Sequence, residues 1–249
     1  MASPYNIDAQ THTHESHLVR VLFSELGRSL LSVLMPSRCA ICGGYVDEGC
    51  ICPRCMTSLP RTEQARLRQN STEQLFLDLP HVVSAASFLF YQHDSLLRRA
   101  VHQMKYASRP EVGYELARQA AREFMADEFF YGVDVIVPVP LHPRRFRQRG
   151  YNQSEWIARG LSDETGIPMD TEHLLRAVDN PKQAMLHADE RNRNVEAVFC
   201  VSHPEELYHK HILLVDDIIT TGATIRSCLR TMSAFRGSCF SVFSLGKAR

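Results

Sequence analysis

Residues 211–224 read His-Ile-Leu-Leu-Val-Asp-Asp-Ile-Ile-Thr-Thr-Gly-Ala-Thr, an apolar run followed by two acids and a loop of small residues. The apolar stretch 212–215 is typical of a strand that is buried on both faces of a parallel sheet. If a helix follows, its first N–H groups point at an anion, and Gly222 lets the main chain approach because it lacks a Cβ atom. Asp216 and Asp217 would repel a bare phosphate. The pattern therefore predicts a ligand that also offers hydroxyls, namely a sugar phosphate bound with Mg²⁺.

The loop after the two acids carries hydroxyl donors as well as backbone donors. Thr220, Thr221 and Thr224 can each donate a hydrogen bond to a phosphate oxygen. Two other nucleotide-binding patterns are missing from the sequence. No Gly-Lys-Ser/Thr follows a glycine loop and no Gly-x-Gly-x-x-Gly follows a strand, so the Walker and Rossmann interpretations fail. An ordinary strand-turn-helix with a polar turn remains the alternative.

Strand and helix patterns alternate from residue 81 onward. Strand patterns cover residues 81–91 and 133–140, short stretches near Leu174 and Val198, the stretch from Ile212, and residues 239–245. Helical patterns cover residues 95–106, 111–130, 152–166 and 224–235. This alternation predicts an α/β fold with a doubly wound, mainly parallel sheet. Ligands of such sheets bind beyond the carboxyl ends of the strands, where Asp216 and the end of the 133–140 strand would both lie.

A stiff turn and a run of arginines follow the predicted strand at 133–140. The turn Pro138-Val139-Pro140-Leu141 can aim its few N–H groups at an anion. Four cations come directly after it, Arg144, Arg145, Arg147 and Arg149, interleaved with Phe146 and followed by Tyr151. Three interpretations stay open for this segment. It is a solvated loop, a lid that closes over a phosphorylated ligand, or a contact with single-stranded nucleic acid in which Tyr151 stacks on a base.

Two Cys-x-x-Cys pairs, Cys39 with Cys42 and Cys52 with Cys55, predict a zinc site. All four ligand positions are thiolates, so the metal would hold structure and leave no position for catalysis. A redox Cys-x-x-Cys is the rival interpretation, but the short glycine-rich segment lacks the βαβ context of a thioredoxin. Cys50 stays open as a replacement for Cys52 in the ligand set.

The remaining segments set the domain boundaries. Residues 1–17 are predicted as a disordered tail, 18–60 as a helix and the four-cysteine finger, 61–80 as a polar linker, and 81–249 as the α/β domain. The apolar stretch 18–35 is interrupted by Arg20, Glu25 and Arg28, which predicts an amphipathic helix and no membrane span. The first residues do not resemble a signal peptide, so we expect a cytoplasmic protein. The formal net charge is zero, and any binding to nucleic acid must therefore use a local patch.

The strand, acids and threonine loop resemble the signature of type I phosphoribosyltransferases, which bind 5-phosphoribosyl-1-pyrophosphate (PRPP). That resemblance implies that Asp216 and Asp217 hold the ribose hydroxyls at the catalytic centre. The 5′-phosphate would be held by five consecutive residues, Thr220, Thr221, Gly222, Ala223 and Thr224. The stiff turn would hold pyrophosphate through Val139, Pro140 and Leu141, and Mg²⁺ would accompany PRPP.

The order of the motifs is similar to that of the ComF family of bacterial competence proteins. The cysteine knuckle, the Lys105-Tyr106 pair, the run Arg149-Gly150-Tyr151-Asn152-Gln153, residues 183–194 and the threonine loop carry this resemblance. It implies a phosphoribosyltransferase-like domain behind a zinc finger. Further residues expected near the site are Lys105, Arg149, Asn152, Gln153, Gln183 and Arg191. One departure is Ser108, which stands in the turn after Lys105-Tyr106 where the family often has glycine.

Two functions are consistent with this resemblance. In the first, the protein binds PRPP or ribose 5-phosphate and acts in natural competence, where it contacts incoming single-stranded DNA and DNA-uptake or processing proteins. The DNA contacts would be Arg144, Arg145, Arg147 and Tyr151. In the second, it is an active phosphoribosyltransferase of nucleotide or base salvage with an unidentified acceptor. Enzyme status stays open because no insert in the sequence is large enough to form a hood over an acceptor base.

Overall fold

The computed structural model describes residues 37–92, 95–176, 198–233 and 235–248. The predicted tail at 1–17, the predicted helix at 18–35, Gln183 and Arg191 lie outside the described residues. The described ranges include the four cysteines, the segment 61–80 and most of the α/β domain, but not residues 177–197 of that domain. No helix in these ranges is both long and apolar enough to cross a membrane.

The described chain contains eight strands and six α-helices. The strands are β1 (Ser37–Arg38), β2 (Tyr45–Val46), β3 (Val82–Tyr91), β4 (Val135–Pro138), β5 (Leu174–Arg176), β6 (Phe199–Val201), β7 (His211–Ile219) and β8 (Cys239–Ala248). The helices are α1 (Pro53–Ser58), α2 (Leu96–Tyr106), α3 (Glu111–Met125), α4 (Pro143–Arg149), α5 (Gln153–Thr165) and α6 (Ala223–Met232). Three short 3-10 helices cover Gln64–Arg66, Glu73–Phe76 and Pro204–Leu207.

The main sheet has the strand order β3-β8-β7-β4, and every neighbouring pair in it is parallel. Its central strand β7 is apolar from Ile212 to Val215, and all four of these side chains are fully buried. Side chains alternate between the two faces of a strand, so both faces of β7 must be covered. Leu213 and Val215 belong to one core, and Ile212 and Leu214 belong to the other. The predicted α/β fold with a parallel sheet is therefore confirmed.

Helices cover the two faces of the sheet. Apolar residues of α2, α3 and α5 form one core with Leu213 and Phe243, and those of α6 form the other with Leu214 and Val242. The tight contact of α3 with α5 depends on Gly160, where a Cβ atom would lie 2.4 Å from the carbonyl oxygen of Tyr114. No side chain fits at that distance, and Gly160 therefore sets how closely the two helices pack.

The short strands β5 and β6 are not part of the main sheet. They pair with each other in an antiparallel register, Leu175 opposite Cys200, and form a separate two-stranded sheet. Leu174 and Phe199 are buried in the core that also contains α6. Strands near Leu174 and Val198 were predicted correctly. Their antiparallel pairing differs from the predicted mainly parallel sheet. Each strand is only three residues long, and the two pair with each other.

The segment 61–80, which the sequence indicates as a linker, packs on the outer edge of β3. The side-chain nitrogen of Asn70 donates to the carbonyl oxygen of Ala85 at 2.8 Å. The hydroxyl of Thr72 lies 2.9 Å from the hydroxyl of Ser87 and donates to the side-chain oxygen of Gln64 at 2.6 Å. Polar side chains suggested an exposed segment, but here they satisfy one another and the strand edge in a buried network.

Candidate functional site

The two adjacent acids, Asp216 and Asp217, lie near the carboxyl end of β7, at the edge of the sheet where β4 also ends. The backbone N–H of Asp217 donates to Oδ1 of Asp216 at 2.8 Å, and that of Ile218 donates to Oδ1 of Asp217 at 2.6 Å. The hydroxyl of Ser154, in the first turn of α5, donates to Oδ1 of Asp216 at 3.1 Å. These bonds fix both carboxylates while leaving lone pairs for further donors.

Lys105 is brought to this pair from the last turn of α2. Its Nζ lies 2.5 Å from Oδ2 of Asp217, and both side chains are largely buried. An ion pair in such a setting is stronger than one on the surface because water screens it less. Lys105 was predicted near the site, and the structure brings it to the second acid.

The pKa of Asp216 is raised to about 7. Burial of the carboxyl group is the main cause, and the negative charge of Asp217 adds to it. The backbone N–H of Asp217, the Ser154 hydroxyl and the positive charge of Lys105 act in the opposite direction. A carboxyl group with this pKa exchanges its proton near neutral pH, which is typical of functional sites.

The threonine loop follows β7 and leads into α6. Thr220, Thr221, Ala223 and Thr224 are exposed, whereas Gly222 is buried. Gly222 precedes the first residue of α6 with φ 76°, a left-handed conformation that glycine adopts without strain. The N–H groups at the start of α6 therefore face solvent at the acidic edge, as an anion-binding helix start requires.

The segment 61–80, which the sequence predicts as a linker, packs against this loop. A Cβ atom on Gly222 would lie 3.1 Å from a ring carbon of Phe76. In the first turn of α6, the guanidinium of Arg226 binds both carboxylate oxygens of Asp78, at 2.8 and 2.6 Å. Arg226 also donates to the carbonyl oxygen of Leu75. Residues 75–78 thus hold the loop against the sheet.

The stiff turn after β4 has fewer free donors than the sequence suggests. The N–H of Val139 donates to the carbonyl oxygen of Val215 at 2.8 Å, so it continues the pairing of β4 with β7. Pro138 and Pro140 have no N–H group. Among the described residues, the N–H of Leu141 has no backbone acceptor, so it is the donor of this turn that an anion could use. Val139 itself is buried, and its carbonyl oxygen accepts from the side chain of Asn152 at 3.0 Å.

Asn152 and Gln153 begin α5, and both are buried. Asn152 caps the helix by accepting from the N–H of Ser154 at 3.2 Å. Gln153 accepts from Arg149 at 2.7 Å through its side-chain oxygen, but its side-chain nitrogen has no partner among the described residues although Gln153 is only 2% exposed. A buried amide donor without an acceptor costs free energy, and a ligand that supplies the acceptor would remove that cost.

The arginine-rich segment, for which the sequence leaves a solvated loop, a lid and a nucleic-acid contact open, forms the short helix α4. Helix α4 begins at Pro143 after His142, whose ring nitrogen accepts from the N–H of Arg144 at 3.1 Å. Arg144, Arg145 and Arg147 are exposed on α4. Proline at the first helical position is favourable because its missing N–H is not needed there.

Tyr151 does not present a free ring for stacking. Its side chain is partly buried, burial raises its pKa, and its hydroxyl donates to the carbonyl oxygen of Met104. Two other rings are exposed at this edge: Tyr106 is 70% exposed and Phe146 is 46% exposed. The guanidinium of Arg149 lies 5.6 Å from the centre of the Tyr106 ring. These neighbours bring an aromatic face and a cation together beside Lys105.

Two basic residues lie at this edge that no sequence pattern indicates. Lys247, near the end of β8, donates to the carbonyl oxygen of Thr220 at 3.1 Å. Arg176, at the end of β5, stacks over Phe199 and has a buried Nε without a partner among the described residues. Burial lowers the pKa of Arg176, as does the charge of Arg145, while Cys228 and Asp216 act in the opposite direction. Neither residue lies in a motif, and only the folded topology brings them to the site.

The four cysteines of the predicted finger are gathered into one cluster. The sulfur atoms of Cys39, Cys42, Cys52 and Cys55 all lie within 4.8 Å of one another. The Cys42 and Cys52 sulfurs are 3.8 Å apart. Zn–S bonds of about 2.3 Å in a tetrahedron place two sulfurs about 3.8 Å apart, so the donor set and its size fit zinc.

Backbone donors prepare this cluster for a cation. The N–H of Cys52 points at the sulfur of Cys39 at 3.4 Å, and that of Cys55 points at the sulfur of Cys52 at 3.4 Å. Burial opposes ionisation of Cys39, but backbone hydrogen bonds outweigh it and lower its pKa to about 6. A thiolate is therefore available at neutral pH, and thiolates are the form that binds zinc.

Cys50 is not part of the cluster. It is 3% exposed, and its backbone N–H donates to Oε2 of Glu115 on α3 at 2.5 Å. Burial, with Glu115 nearby, raises the pKa of the Cys50 thiol. Ile51 donates to the other oxygen of Glu115 at 3.2 Å. The ligand set with Cys52 is thus the one that the geometry supports, and Cys50 helps to anchor the finger to the α/β domain.

A separate cavity of about 540 Å³ lies at the opposite end of the sheet. It is lined by residues near the starts of β3 and β7 and by the segment that follows the finger, including Gln64, Arg66, Val83 and His211. None of the predicted site residues borders it. The acidic edge, with its exposed loop and paired charges, is the better candidate site.

Comparison with known proteins gives several similarities. No family model matches the chain. It is 34% identical over 128 residues to the DNA utilization protein YhgH of Salmonella typhi, a match that covers 50% of this chain and 56% of YhgH. It is 24% identical over 221 residues to competence protein ComFC of Bacillus subtilis, covering 87% of this chain and 80% of ComFC. The chain thus matches little more than half the length of YhgH.

One solved structure matches part of the chain. Glutamine phosphoribosylpyrophosphate amidotransferase from Bacillus subtilis, in complex with ADP and GMP, is 20% identical, with a TM-score of 0.38 over 57% of this chain and 30% of that chain.

Proposed function

We propose that the chain, which is similar to competence and DNA utilization proteins of the ComF/YhgH kind, binds PRPP or ribose 5-phosphate with Mg²⁺ and acts on single-stranded DNA in natural competence. One arrangement carries the proposal. Two fixed carboxylates, Asp216 and Asp217, stand beside an exposed helix start at Thr220 to Thr224. A ligand that fits both must have hydroxyls at one end and a phosphate at the other.

Each part of the ligand has a partner of matching chemistry. The ribose 2′- and 3′-hydroxyls donate to the carboxylates, and the 5′-phosphate accepts from the N–H groups and hydroxyls of the threonine loop. Mg²⁺ neutralises the pyrophosphate when it is bound with PRPP. Leu141, Arg149 and Arg145 are the donors and cations of this chain at the pyrophosphate end.

Lys105 and Gln153 prepare the site for this ligand. Lys105 pairs with Asp217, and its charge favours the ionised form of Asp216 against the effects of burial and of Asp217. The free amide nitrogen of Gln153 offers a donor that gains an acceptor only on binding. Both features lower the cost of binding a highly charged ligand in a partly buried site.

A second candidate function is phosphoribosyl transfer, a pentosyltransferase reaction. In that reaction the bond from C1 of PRPP to pyrophosphate breaks as an acceptor bonds to C1, and the ribose ring carries positive charge in the transition state. Asp216, with its pKa near neutrality, favours this candidate because a carboxylate at the ring stabilises that charge. The acceptor would enter from the side of α4 and β5, where Arg145 and Arg176 lie.

The DNA-handling part of the proposal rests on the surface that adjoins the site. Arg144, Arg145 and Arg147 are exposed on α4, and Phe146 and Tyr106 expose aromatic rings beside them. Cations that follow phosphates and rings that stack on bases are the features of single-strand binding. DNA-uptake or processing proteins are the partners that this role requires. The zinc finger supplies structure, because all four ligands are thiolates.

Calorimetry with PRPP tests the ligand. We expect heat of binding in the presence of Mg²⁺ and its loss in an Asp216→Asn/Asp217→Asn variant. The matched control is Asp47→Asn/Glu48→Gln, an adjacent pair of exposed acids in the finger that changes charge by the same amount. Equal binding by the Asp216/Asp217 variant would refute the assignment. Release of pyrophosphate on adding bases would then separate an enzyme from a binding protein.

A further inference from the structure

Lys247 is a buried cation beneath the threonine loop. It lies opposite Ile219 in the pairing of β8 with β7, so its backbone reaches the point where the loop begins. Its Nζ donates to the carbonyl oxygen of Thr220 at 3.1 Å, and the residue is 8% exposed. Among the described residues, its partner is this carbonyl oxygen, and no acidic side chain forms an ion pair with it.

An ammonium group in this position is costly. It has lost most of its water, and one carbonyl dipole does not balance a full charge. Burial accordingly lowers the pKa of Lys247. On β3 its neighbour is Phe90 and on β7 it is Ile219, neither of which titrates. The nearest acids along β7 are Asp216 and Asp217, and Asp217 is already paired with Lys105.

We propose that Lys247 is the counter-cation and positioning residue for the anion that binds in the threonine loop. Its bond to Thr220 holds the loop with the helix N–H groups directed outward, and a phosphate in the loop would balance a charge that no acid among the described residues pairs with. This inference rests on the proposed function and adds a residue to it. The ammonium acts through the loop carbonyl and through its field, without direct contact with the reacting atoms.

The test compares Lys247→Met, which removes the charge, with Lys247→Arg, which keeps it. Inorganic phosphate and PRPP with Mg²⁺ are titrated by calorimetry, and thermal unfolding is recorded with and without each anion. We expect Lys247→Met to lose about tenfold in affinity for both anions, because the positive field beneath the loop is removed, and Lys247→Arg to recover most of it. Lys210→Met, which lies at the start of β7, is the matched control and should bind like the parent.

Unfolding without ligand separates a structural role from an anion-binding role. Lys247→Met loses the bond to Thr220 but also removes the cost of an unpaired buried ammonium, so the melting temperature of the free variant should stay close to that of the parent. Its gain in melting temperature on adding phosphate should shrink at the same time. A lower melting temperature with an undiminished gain on adding phosphate would overturn the proposal.

The two hypotheses fail in different ways. If the parent binds neither anion, the proposed function fails and this inference fails with it. If the parent binds PRPP and Lys247→Met binds it equally well, only the inference is refuted. An Asp216→Asn/Asp217→Asn variant should lose PRPP but keep inorganic phosphate, because phosphate has no ribose hydroxyls for the acids to hold.

Discussion

Lys105 and Asp217 form an ion pair with 2.5 Å between Nζ and Oδ2, although they come from α2 and β7, on opposite halves of the chain. The pair joins the helix that follows β3 to the strand that carries both acids. It also directs a positive field at Asp216, where that field opposes the effects of burial and of Asp217 on the pKa. The ionisation of Asp216 therefore depends on a residue that is remote in sequence.

Ligand binding should weaken as the pH falls from 8 to 6. The pKa of Asp216 is about 7, so the carboxyl group becomes protonated in this range and no longer accepts from a ribose hydroxyl. Calorimetry with PRPP and Mg²⁺ at several pH values measures the midpoint. Lys105→Met should move that midpoint to higher pH, because the field that favours the carboxylate is removed. A midpoint that does not move would contradict the coupling.

The contribution of Asp216 to the stability of the ligand-free protein should change with pH in the opposite sense to ligand binding, because it decreases as the pH rises. The raised pKa means that the folded state binds the Asp216 proton more tightly than the unfolded chain, whose carboxyl ionises near pH 4. The stabilising contribution is present at low pH and is lost as the pH rises through about 7. Because the loss is spread over the pH range between the two pKa values, denaturant titrations at pH 5 and pH 8 should show that Asp216→Asn gains more stability relative to the parent at pH 8 than at pH 5. Equal differences at both pH values would count against it.

One zinc ion per chain should remain bound after purification without added metal. Cys52→Ser should lose it, because a hydroxyl is a poor replacement for a thiolate ligand. Cys50→Ser should keep it, since Cys50 lies outside the cluster and its backbone contacts Glu115. Elemental analysis of the two variants decides the ligand set, and metal loss by the Cys50 variant alone would reverse it.

Replacing Arg144, Arg145 and Arg147 together with alanine should weaken binding to single-stranded DNA. Each cation that contacts a phosphate releases counterions, so the dependence of affinity on salt should become shallower by roughly one unit per lost contact. Fluorescence anisotropy at several salt concentrations measures both effects. The control replaces three exposed arginines elsewhere, Arg68, Arg230 and Arg236. If both triple variants bind alike, the surface of α4 has no special role in DNA binding.

Tyr106→Ala should weaken single-strand binding by roughly 1–3 kcal/mol with little change in the salt dependence, because stacking does not release ions. Tyr106 is exposed and lies beside Arg149, whereas Tyr151 is tied to Met104. Tyr151→Phe, which keeps the ring and removes the hydroxyl, should leave DNA binding unchanged. A larger loss of DNA affinity from Tyr151→Phe than from Tyr106→Ala would instead favour Tyr151 as the residue that contacts the DNA, as the sequence suggests.

Local patterns were enough to predict the strand with its acids and loop, and the four cysteines. In both cases the residues that act together are neighbours in the sequence, and their chemistry depends on spacing. The sequence alone could not decide whether Cys50 or Cys52 is the zinc ligand. The fold decides between them, because the Cys50 backbone binds Glu115 on α3 and Cys50 lies outside the cluster. The pairing of Asn70 with the edge of β3 was equally hidden in a polar stretch.

The basic residues around the site were harder to predict. Lys247 is the ninth residue of a strand whose pattern gives no sign of a ligand, and it reaches Thr220 because β8 pairs with β7 in one particular register. Arg176 reaches the site because β5 pairs with β6 across residues 177–197. Long-range register follows from the packing of the whole core, which no short window of sequence contains.

The position of β8 between β3 and β7 bears on how the protein is made. A ribosome delivers β3, β4 and β7 before β8, so β3 has no neighbour in the main sheet during most of synthesis. The sheet can close only after residues 239–248 have left the exit tunnel, and until then β3 and β7 each present an open hydrogen-bonding edge. Such edges are prone to wrong pairings, and the nascent chain should therefore be most prone to aggregation before β8 inserts.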